Sequence, residues 1–304
     1  MTQSTRPTGR LVLATDLDGT FAHGTPAART ALVDRLAHDA GASLIYVTGR
    51  SPAAARSLAS RLPLPEPDLL IADVGTSVLH ALGPERVKPI EEELDLLWPG
   101  DEPVRQRLLA VPQLVSQEVA APRRVSYWIE PVRRMTASGR GGGDPATAGG
   151  SVAVTATPTD PFAARSPDDP RLGAEAEAIA AEVAQRAAEH LEGLAVDVLV
   201  SANVFLDVLP RGVDKGSTLR RVLDWLDVAD DACIVAGDSL NDLALFETGL
   251  RGIAVGNCEP ALRRRIAGMQ GIYQAAAHGA DGVLEGMRFY GLLSDGSERD
   301  DHAR

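Results

Sequence analysis

Two short acidic clusters, more than 220 positions apart, are the clearest indication of chemistry in this sequence. Asp16 and Asp18 lie in D-L-D-G-T, and Asp238 and Asp242 lie in G-D-S-L-N-D. Carboxylates so close together repel each other unless a cation or a proton lies between them. Oxygen ligands of this type suit Mg²⁺. The two clusters together therefore predict one magnesium site.

The second cluster also has a simpler interpretation as a helix start. Ser239 is a good N-cap, and Asp242 falls in the first turn, where a carboxylate is favoured. Capping explains one or two acids here, but it does not explain why Asp16 and Asp18 end another strand. We therefore expect the acids to bind the metal, with Asn241 and Ser239 in support.

Two further segments offer groups that bind an anion. Thr48 and Gly49 supply a hydroxyl and a backbone amide, which can form a small anion cradle, and Arg50 either anchors phosphate or pairs with an acid. Lys215 is notable because the chain has 28 arginines and only two lysines. A lysine at the start of a helix then indicates a compact point charge, which can neutralise a phosphate and a carboxylate together.

Each of these clusters lies at the end of a predicted strand or at the start of a predicted helix. Strands that alternate with helices indicate parallel β-α-β units, and sites in such sheets form outside the carboxyl ends of the strands. The four clusters are therefore expected to meet. The predicted strands are 11–15, 43–47, 69–72, 232–236 and 252–255, and the predicted helices are 27–39, from 52, 215–226 and from 240.

The middle of the chain has a different character. Segments 124–131 and 196–209 resemble antiparallel strands, with an Ala/Glu-rich helix at 174–191 between them. Between 137 and 170 the chain is rich in Gly, Pro, Ser and Thr, which predicts a disordered loop. The predicted fold class is thus α/β: a Rossmann-like core with a parallel sheet, at 1–82 and 210–304, and an inserted α+β domain at 83–209.

Together the four segments resemble the motifs of the haloacid dehalogenase superfamily of phosphohydrolases. These are D-L-D-G-T at 16–20, V-T-G-R at 47–50, D-K-G at 214–216 and G-D-S-L-N-D at 237–242. The inserted domain resembles the cap of the C2 (IIB) type. Within the superfamily the closest likeness is to sucrose-phosphate phosphatases, and it rests on segments 72–76, 124–127, 255–260 and 278–285.

This resemblance implies a Mg²⁺-dependent phosphatase that acts on a small sugar phosphate, of the disaccharide or sucrose-6-phosphate type. It implies that Asp16 attacks phosphorus to form an aspartyl-phosphate and that Asp18 is the general acid and base. The implied metal ligands are Asp16, the Asp18 carbonyl, Asp238 and Asp242, and the implied phosphate-binding groups are Thr48, Gly49, Arg50 and Lys215.

The resemblance also suggests where the sugar is recognised. Arg124, Ser126 and Tyr127 of the inserted domain are the candidate sugar contacts, with Trp128 on the other face of the strand and His278 reaching in from the C-terminal part. The long Gly- and Pro-rich insertion departs from the compact pattern of the sucrose-phosphate phosphatases. Trehalose, mannosylglycerate and aminocyclitol phosphates therefore stay open as substrates.

Other functions remain to be separated from hydrolysis. A phosphosugar mutase or phosphotransferase would use the same motifs, with a sugar hydroxyl in place of water. A non-catalytic sugar-phosphate-binding protein would not need Asp16, Asp18, Lys215 and Asp238 together. A dehalogenase needs neither Asp18 nor Mg²⁺.

The composition restricts partners and location. The net charge of −12 and the pI of about 5.0 disfavour nucleic acids and anionic membranes, which reward clustered Lys and Arg. Cys233 and Cys258 lack metal-site spacing, which fits a reducing compartment. Residues 1–10 lack the apolar core of a secretion signal. We expect a cytoplasmic monomer or small homo-oligomer whose partner is a small sugar phosphate, with no nucleic acid or membrane bound.

Overall fold

Apolar runs from the first and last thirds of the chain pair into a seven-stranded sheet. The computed structural model describes residues 11–38, 42–62, 64–138 and 170–292. The strands are β1 Val12–Thr15, β2 Ser43–Val47, β3 Leu69–Ala72, β4 Ser77–His80, β5 Leu114–Gln117, β6 Val125–Ile129, β7 Val196–Ser201, β8 Phe205–Pro210, β9 Cys233–Gly237, β10 Arg251–Ala254 and β11 Ile272–Gln274. The helices are α1 Pro26–His38, α2 Pro52–Arg61, α3 Lys88–Leu97, α4 Asp101–Leu108, α5 Glu130–Ser138, α6 Pro170–His190, α7 Lys215–Trp225, α8 Leu243–Glu247, α9 Pro260–Ile266 and α10 Gly279–Phe289.

The sheet has the order β11-β10-β9-β1-β2-β3-β4, and all neighbours are parallel except β3 and β4. Strand β1 lies at the centre, where Val12 is in register with Cys233 of β9 and Ser43 of β2. All four residues of β1 are buried, as expected for a strand covered on both faces. The predicted α/β class with a parallel sheet is confirmed.

Helices cover both faces of this sheet, and their apolar residues pack with those of the strands in two separate clusters. Helices α1, α2 and α10 contribute to one cluster through residues such as Leu32 and Met287. Helices α3, α7, α8 and α9 contribute to the other, through residues such as Leu94 and Leu219. The carboxyl ends of β1, β2 and β9 are thereby held side by side at one edge of the sheet.

The chain divides into two compact units. One, here called the core unit, is Met1–Trp98, Ala120–Arg124 and Leu209–Arg304; the other, the inserted unit, is Pro99–Val119 and Val125–Val208. The predicted boundary at 82 differs from this division. Helix α3 belongs to the core unit because Ile90 and Leu94 pack in the second apolar cluster.

The inserted unit has a four-stranded sheet with the order β5-β6-β8-β7, in which β6 is antiparallel to both neighbours. The strand predicted at 124–131 ends at Ile129, and Glu130 begins α5. Pro131 explains this end, since it has no N–H to donate to a sheet. The loop predicted at 137–170 lies outside the described residues, apart from its ends in α5 and α6.

Two expectations drawn from the composition concern the cysteines and membrane-spanning helices. Cys233 and Cys258 are both buried free thiols. Among the residues described, no helix is long and apolar enough to cross a membrane.

Close packing of α7 against α8 gives a test of the fold. A Cβ atom on Gly216 would lie 2.0 Å from the Ala244 carbonyl oxygen, so Gly216→Ala must displace backbone. We expect it to lower the free energy of unfolding by about 1–3 kcal/mol in urea titrations. The control is Gly173→Ala in α6, where a Cβ meets nothing within 4 Å. Alanine there favours the helix by up to about 1 kcal/mol, so equal effects of the two substitutions would contradict the packing.

Candidate active site

The first acidic cluster lies in a tight turn directly after the central strand. The Asp16 amide donates to the Ala236 carbonyl at 2.9 Å, which extends the pairing of β1 with β9. The chain then turns through Leu17–Phe21, with Gly19 at a φ of 74°. A Cβ on Gly19 would lie 2.2 Å from a carboxylate oxygen of Asp238. Glycine is therefore needed here both for the turn and for the approach of the second cluster.

The structure brings the two acidic clusters together. Carboxylate oxygens of Asp16, Asp238 and Asp242 lie within 4.8 Å of one another. Asp238 accepts a hydrogen bond from the Thr20 hydroxyl at 2.7 Å, and one oxygen of Asp242 accepts from the amides of Asp238 and Ser239 at 3.0 Å. The carboxylates of Asp238 and Asp242 are thus fixed in direction by their neighbours. We call these three residues the acidic cluster.

Lys215 inserts into the acidic cluster. Its side chain is fully buried, and Nζ donates to Asp16 at 2.7 Å, to Asp242 at 2.6 Å and to the Asn241 side-chain oxygen at 2.8 Å. Helix α7 holds it there, because Asp214 caps the helix through the Ser217 amide. The lysine singled out by its rarity in the sequence is therefore the ammonium of this site.

The electrostatics show that one ammonium does not balance three carboxylates. Burial raises the pKa of Asp16 well above its usual value, Lys215 opposes this rise, and Asp242 and Asp238 add to it. Burial, with the charge of Asp242, raises the pKa of Asp238 to about 8. Burial lowers the pKa of Lys215, but Asp16 and Asp242 outweigh it and raise this pKa above its usual value. The cluster is therefore a place where an additional positive charge is favoured.

Thr48, Gly49 and Arg50, which we call the cradle, follow β2 at the same edge of the sheet. Thr48 is fully buried, and its hydroxyl oxygen accepts the Arg50 amide at 3.2 Å. The Arg50 guanidinium binds both carboxylate oxygens of Asp18, each at 2.7 Å. Of the two roles weighed for Arg50, the structure shows the pairing with an acid. The Asp18 carboxylate accordingly lies outside the acidic cluster.

Arg124 differs from its predicted position. It was expected to be a sugar contact of the inserted domain, but it belongs to the core unit, and only 7% of its surface is exposed. Its guanidinium donates to the Asp73 carboxylate at 2.9 Å and to the Gly49 carbonyl at 3.1 Å. Arg124 thus contacts the backbone of the cradle at the Gly49 carbonyl.

The structure also describes the surroundings of the predicted contacts on β6. Ser126 is buried and its hydroxyl donates to the Asp207 carboxylate. Tyr127 is buried on the opposite face, and its pKa is raised by burial. Side chains alternate along a strand, so Ser126 shares its face with Trp128, not with Tyr127. The expectation that Trp128 turns away from Ser126 was wrong.

Two features of the described residues were missed by sequence reasoning. In the inserted unit, Trp128 packs against Phe205, with ring centroids 4.6 Å apart, and Arg133 lies over the Trp128 ring at 5.1 Å. We call Trp128 and Phe205 the aromatic pair. In the core unit, Asn257 donates to the Gly19 carbonyl and accepts from the Gly279 amide, both at 2.8 Å. The aromatic pair follows from the pairing of β6 with β8, which places Trp128 opposite Phe205. The sequence alone did not indicate this pairing.

His278 is the remaining predicted site residue. It is exposed at the start of α10, where its carbonyl accepts the Gly282 amide. Among the described residues, the group that could hold a metal does not include it.

The parallel sheet, with acids after β1 and β9 and a buried lysine beside them, has the fold of a solved haloacid dehalogenase-like hydrolase from Bacillus subtilis. Residues 9–137 and 173–291 match the family model described as sucrose-6F-phosphate phosphohydrolase. The chain belongs to this family.

Three similar proteins illustrate the relationship. Glucosylglycerol-phosphate synthase of Pseudomonas anguilliseptica is 33% identical over 93% of this chain, which spans only 31% of that protein's length. Mannosylfructose-phosphate phosphatase of Agrobacterium fabrum is 27% identical over 92% of this chain and 97% of its own. The sucrose-phosphatase of Synechocystis, solved in complex with sucrose and phosphate, superimposes with a TM-score of 0.71 at 24% identity, covering 94% of this chain and all of that one.

The buried ammonium gives a test of the site. We expect Lys215→Met to lower the free energy of unfolding by about 3–5 kcal/mol at neutral pH, since it leaves buried carboxylates without their counter-charge. Urea titration measures this loss. Lys88→Met, at the exposed start of α3, is the control and should change little. Similar stabilities for the two variants would show that Lys215 does not neutralise the cluster.

Proposed function

We propose that this protein is a Mg²⁺-dependent phosphatase that hydrolyses the phosphate monoester of a small glycoside. The observation that carries the proposal is the convergence of Asp16, Asp238 and Asp242 around the buried Lys215. Binding alone would not require a nucleophilic carboxylate so close to an ammonium and to two more acids.

The donor set fits the metal. Three carboxylates within 4.8 Å of one another supply hard oxygen ligands, and burial together with the neighbouring acids raises the pKa values of Asp16 and Asp238, so a bound cation would favour their ionised forms. Asp16, the Asp18 carbonyl and Asp238 would hold Mg²⁺ directly, with Asp242 and Asn241 in support. Once bound, the ion supplies positive charge that stabilises a phosphoryl group in transfer.

In the first chemical step, a carboxylate oxygen of Asp16 attacks phosphorus, and the bond from phosphorus to the sugar oxygen breaks. Lys215, Thr48 and the Gly49 amide orient and neutralise the phosphoryl oxygens. Asp18 gives its proton to the departing sugar oxygen, so that an alcohol leaves and not an alkoxide.

In the second step, water attacks the phosphorus of the aspartyl-phosphate. Asp18 takes a proton from the water, the bond from phosphorus to Asp16 breaks, and inorganic phosphate leaves. Since Arg50 binds both oxygens of Asp18 in this structure, one of these bonds must open when a substrate arrives. Arg50 therefore acts here as the partner of the acid and base, and no direct phosphate contact is assigned to it.

The relatives and the inserted unit support the proposed substrate class. Two relatives are named for phosphates of glycosides, glucosylglycerol phosphate and mannosylfructose phosphate. The aromatic pair offers apolar surface beside the Asp207 carboxylate, a combination that suits the apolar and hydroxylated faces of a sugar ring. We infer that Trp128 and Phe205, and not Arg124 or Tyr127, contact the sugar.

A phosphate-release screen tests the activity. Purified protein with Mg²⁺ is offered disaccharide, glycosylglycerol and monosaccharide phosphates without any added acceptor. We expect phosphate release from a glycoside phosphate, at least about 1000-fold slower after Asp16→Asn or after chelation of the metal.

The outcomes of the screen separate the alternatives. Turnover that survives Asp16→Asn or the chelator contradicts the mechanism. Isomerised product without phosphate release would instead indicate a mutase or phosphotransferase. Preference for monosaccharide phosphates would reject the glycoside class and leave the chemistry intact.

The aromatic pair gives a separate prediction. We expect Trp128→Ala to raise KM for the preferred glycoside phosphate about tenfold, because a lost stacking contact is worth roughly 1–1.5 kcal/mol. The kcat should change less. Trp225→Ala is the matched control, since Trp225 is an exposed tryptophan of the core unit. An unchanged KM in Trp128→Ala would remove the aromatic pair from substrate recognition.

A further inference from the structure

The loop that follows β3 has an unusual backbone. Asp73, Val74 and Gly75 have φ values of 53°, 61° and 102°. Glycine adopts such values readily, but a β-branched residue such as Val74 rarely does. A segment held in this conformation requires support from its surroundings, and it is buried throughout.

This loop and Arg124 hold the cradle at three successive carbonyl groups. The Val74 amide donates to the Thr48 carbonyl at 3.2 Å, and the Asp73 amide donates to the Arg50 carbonyl at 2.9 Å. Between them, Arg124 donates to the Gly49 carbonyl at 3.1 Å. Arg124 is itself held by its ion pair with Asp73 at 2.9 Å.

These three bonds fix the direction of the amide groups of the cradle. In a planar trans peptide, the carbonyl and the following N–H point in opposite directions. The bond from Val74 to the Thr48 carbonyl therefore turns the Gly49 N–H away from the loop. The Gly49 amide is the group that binds a phosphoryl oxygen in the proposed reaction.

The same loop also contacts the helix that carries the lysine. A Cβ on Gly75 would lie 2.3 Å from the Asp214 carbonyl oxygen, and the Thr218 hydroxyl donates to the Gly75 carbonyl at 2.7 Å. Asp214 and Thr218 flank the first turn of α7, which begins with Lys215. One strained loop thus supports both phosphate-binding elements of the core unit.

We propose that Asp73 and Arg124 are positioning residues for phosphate and do not contact the sugar. Arg124, held by Asp73, fixes the peptide that follows Gly49, while Val74 fixes the peptide before it, so that the Gly49 N–H keeps its direction. This inference rests on the proposed phosphatase function. A positioning role for the cradle affects every phosphate monoester alike. A sugar contact affects only substrates that contain the sugar.

The experiment compares Arg124→Met with Arg123→Met on two substrates, the preferred glycoside phosphate and p-nitrophenyl phosphate. Arg123 is an equally buried arginine that binds Glu91, Asp95 and the Thr76 carbonyl, so its loss controls for removing a buried guanidinium. Arg124→Lys and Asp73→Asn are the milder variants. Thermal melting establishes that each variant folds.

We expect Arg124→Met to lower kcat/KM for both substrates by the same factor, about 10- to 100-fold, and to weaken competitive inhibition by inorganic phosphate. Arg124→Lys should restore part of the loss, and Arg123→Met should keep phosphate inhibition near the wild-type value. A loss restricted to the glycoside phosphate would overturn the proposal and make Arg124 a sugar contact. Equal effects of Arg124→Met and Arg123→Met would also overturn it.

Failure of the proposed function can be told apart from failure of this inference. If the wild-type protein hydrolyses neither substrate, calorimetric binding of inorganic phosphate with Mg²⁺ still reports on the cradle. Weaker phosphate binding in Arg124→Met and Asp73→Asn than in Arg123→Met would then support the positioning role. Unchanged binding, or a wild-type protein that binds no phosphate, would reject it.

Discussion

The burial of three carboxylates around a single ammonium is the constraint on which the rest of this structure depends. Three acids and one lysine leave a formal charge of −2 in a region from which water is largely removed. Such a charge is costly unless hydrogen bonds and further positive charge offset it. The fold supplies the hydrogen bonds through Thr20 and through two amides beside Asp242. The remaining negative charge favours an additional cation at this site, in keeping with the proposed Mg²⁺.

The backbone around the acidic cluster departs from ordinary conformations for the same reason. Gly19 has a positive φ in the turn after β1, and its lack of a Cβ leaves room for the Asp238 carboxylate. Val74 has a positive φ although it is β-branched, and its amide holds the Thr48 carbonyl. The rigid sheet and its two apolar clusters stabilise both positions. Unusual backbone conformations at Gly19 and Val74 thus lie beside groups that must be oriented.

The sequence predicted those parts of the fold and site that follow from strand order. Buried parallel strands are continuous apolar runs, so β1, β2, β3, β9 and β10 could be found within a residue or so. Their carboxyl ends share one edge, so the meeting of Asp16, Lys215 and Asp238 was expected. Strand register and the directions of long side chains depend on contacts between distant parts of the chain, so a local sequence pattern does not predict them. The Arg50 pair with Asp18, the place of Arg124 and the aromatic pair therefore emerged only from the structure.

The segment 124–127 shows how a sequence likeness can combine two different tasks. Arg124 belongs to the core unit and contacts the cradle, whereas β6 of the inserted unit begins at the next residue. Two positions later, Ser126 and Asp207 lie on the face that carries Trp128 and Phe205. Under the proposed roles, likeness at Arg124 concerns the handling of phosphate, which all substrates share. Likeness or divergence on the face of Trp128 then concerns the sugar, and the proposal places the choice of substrate among the aromatic pair and its neighbours.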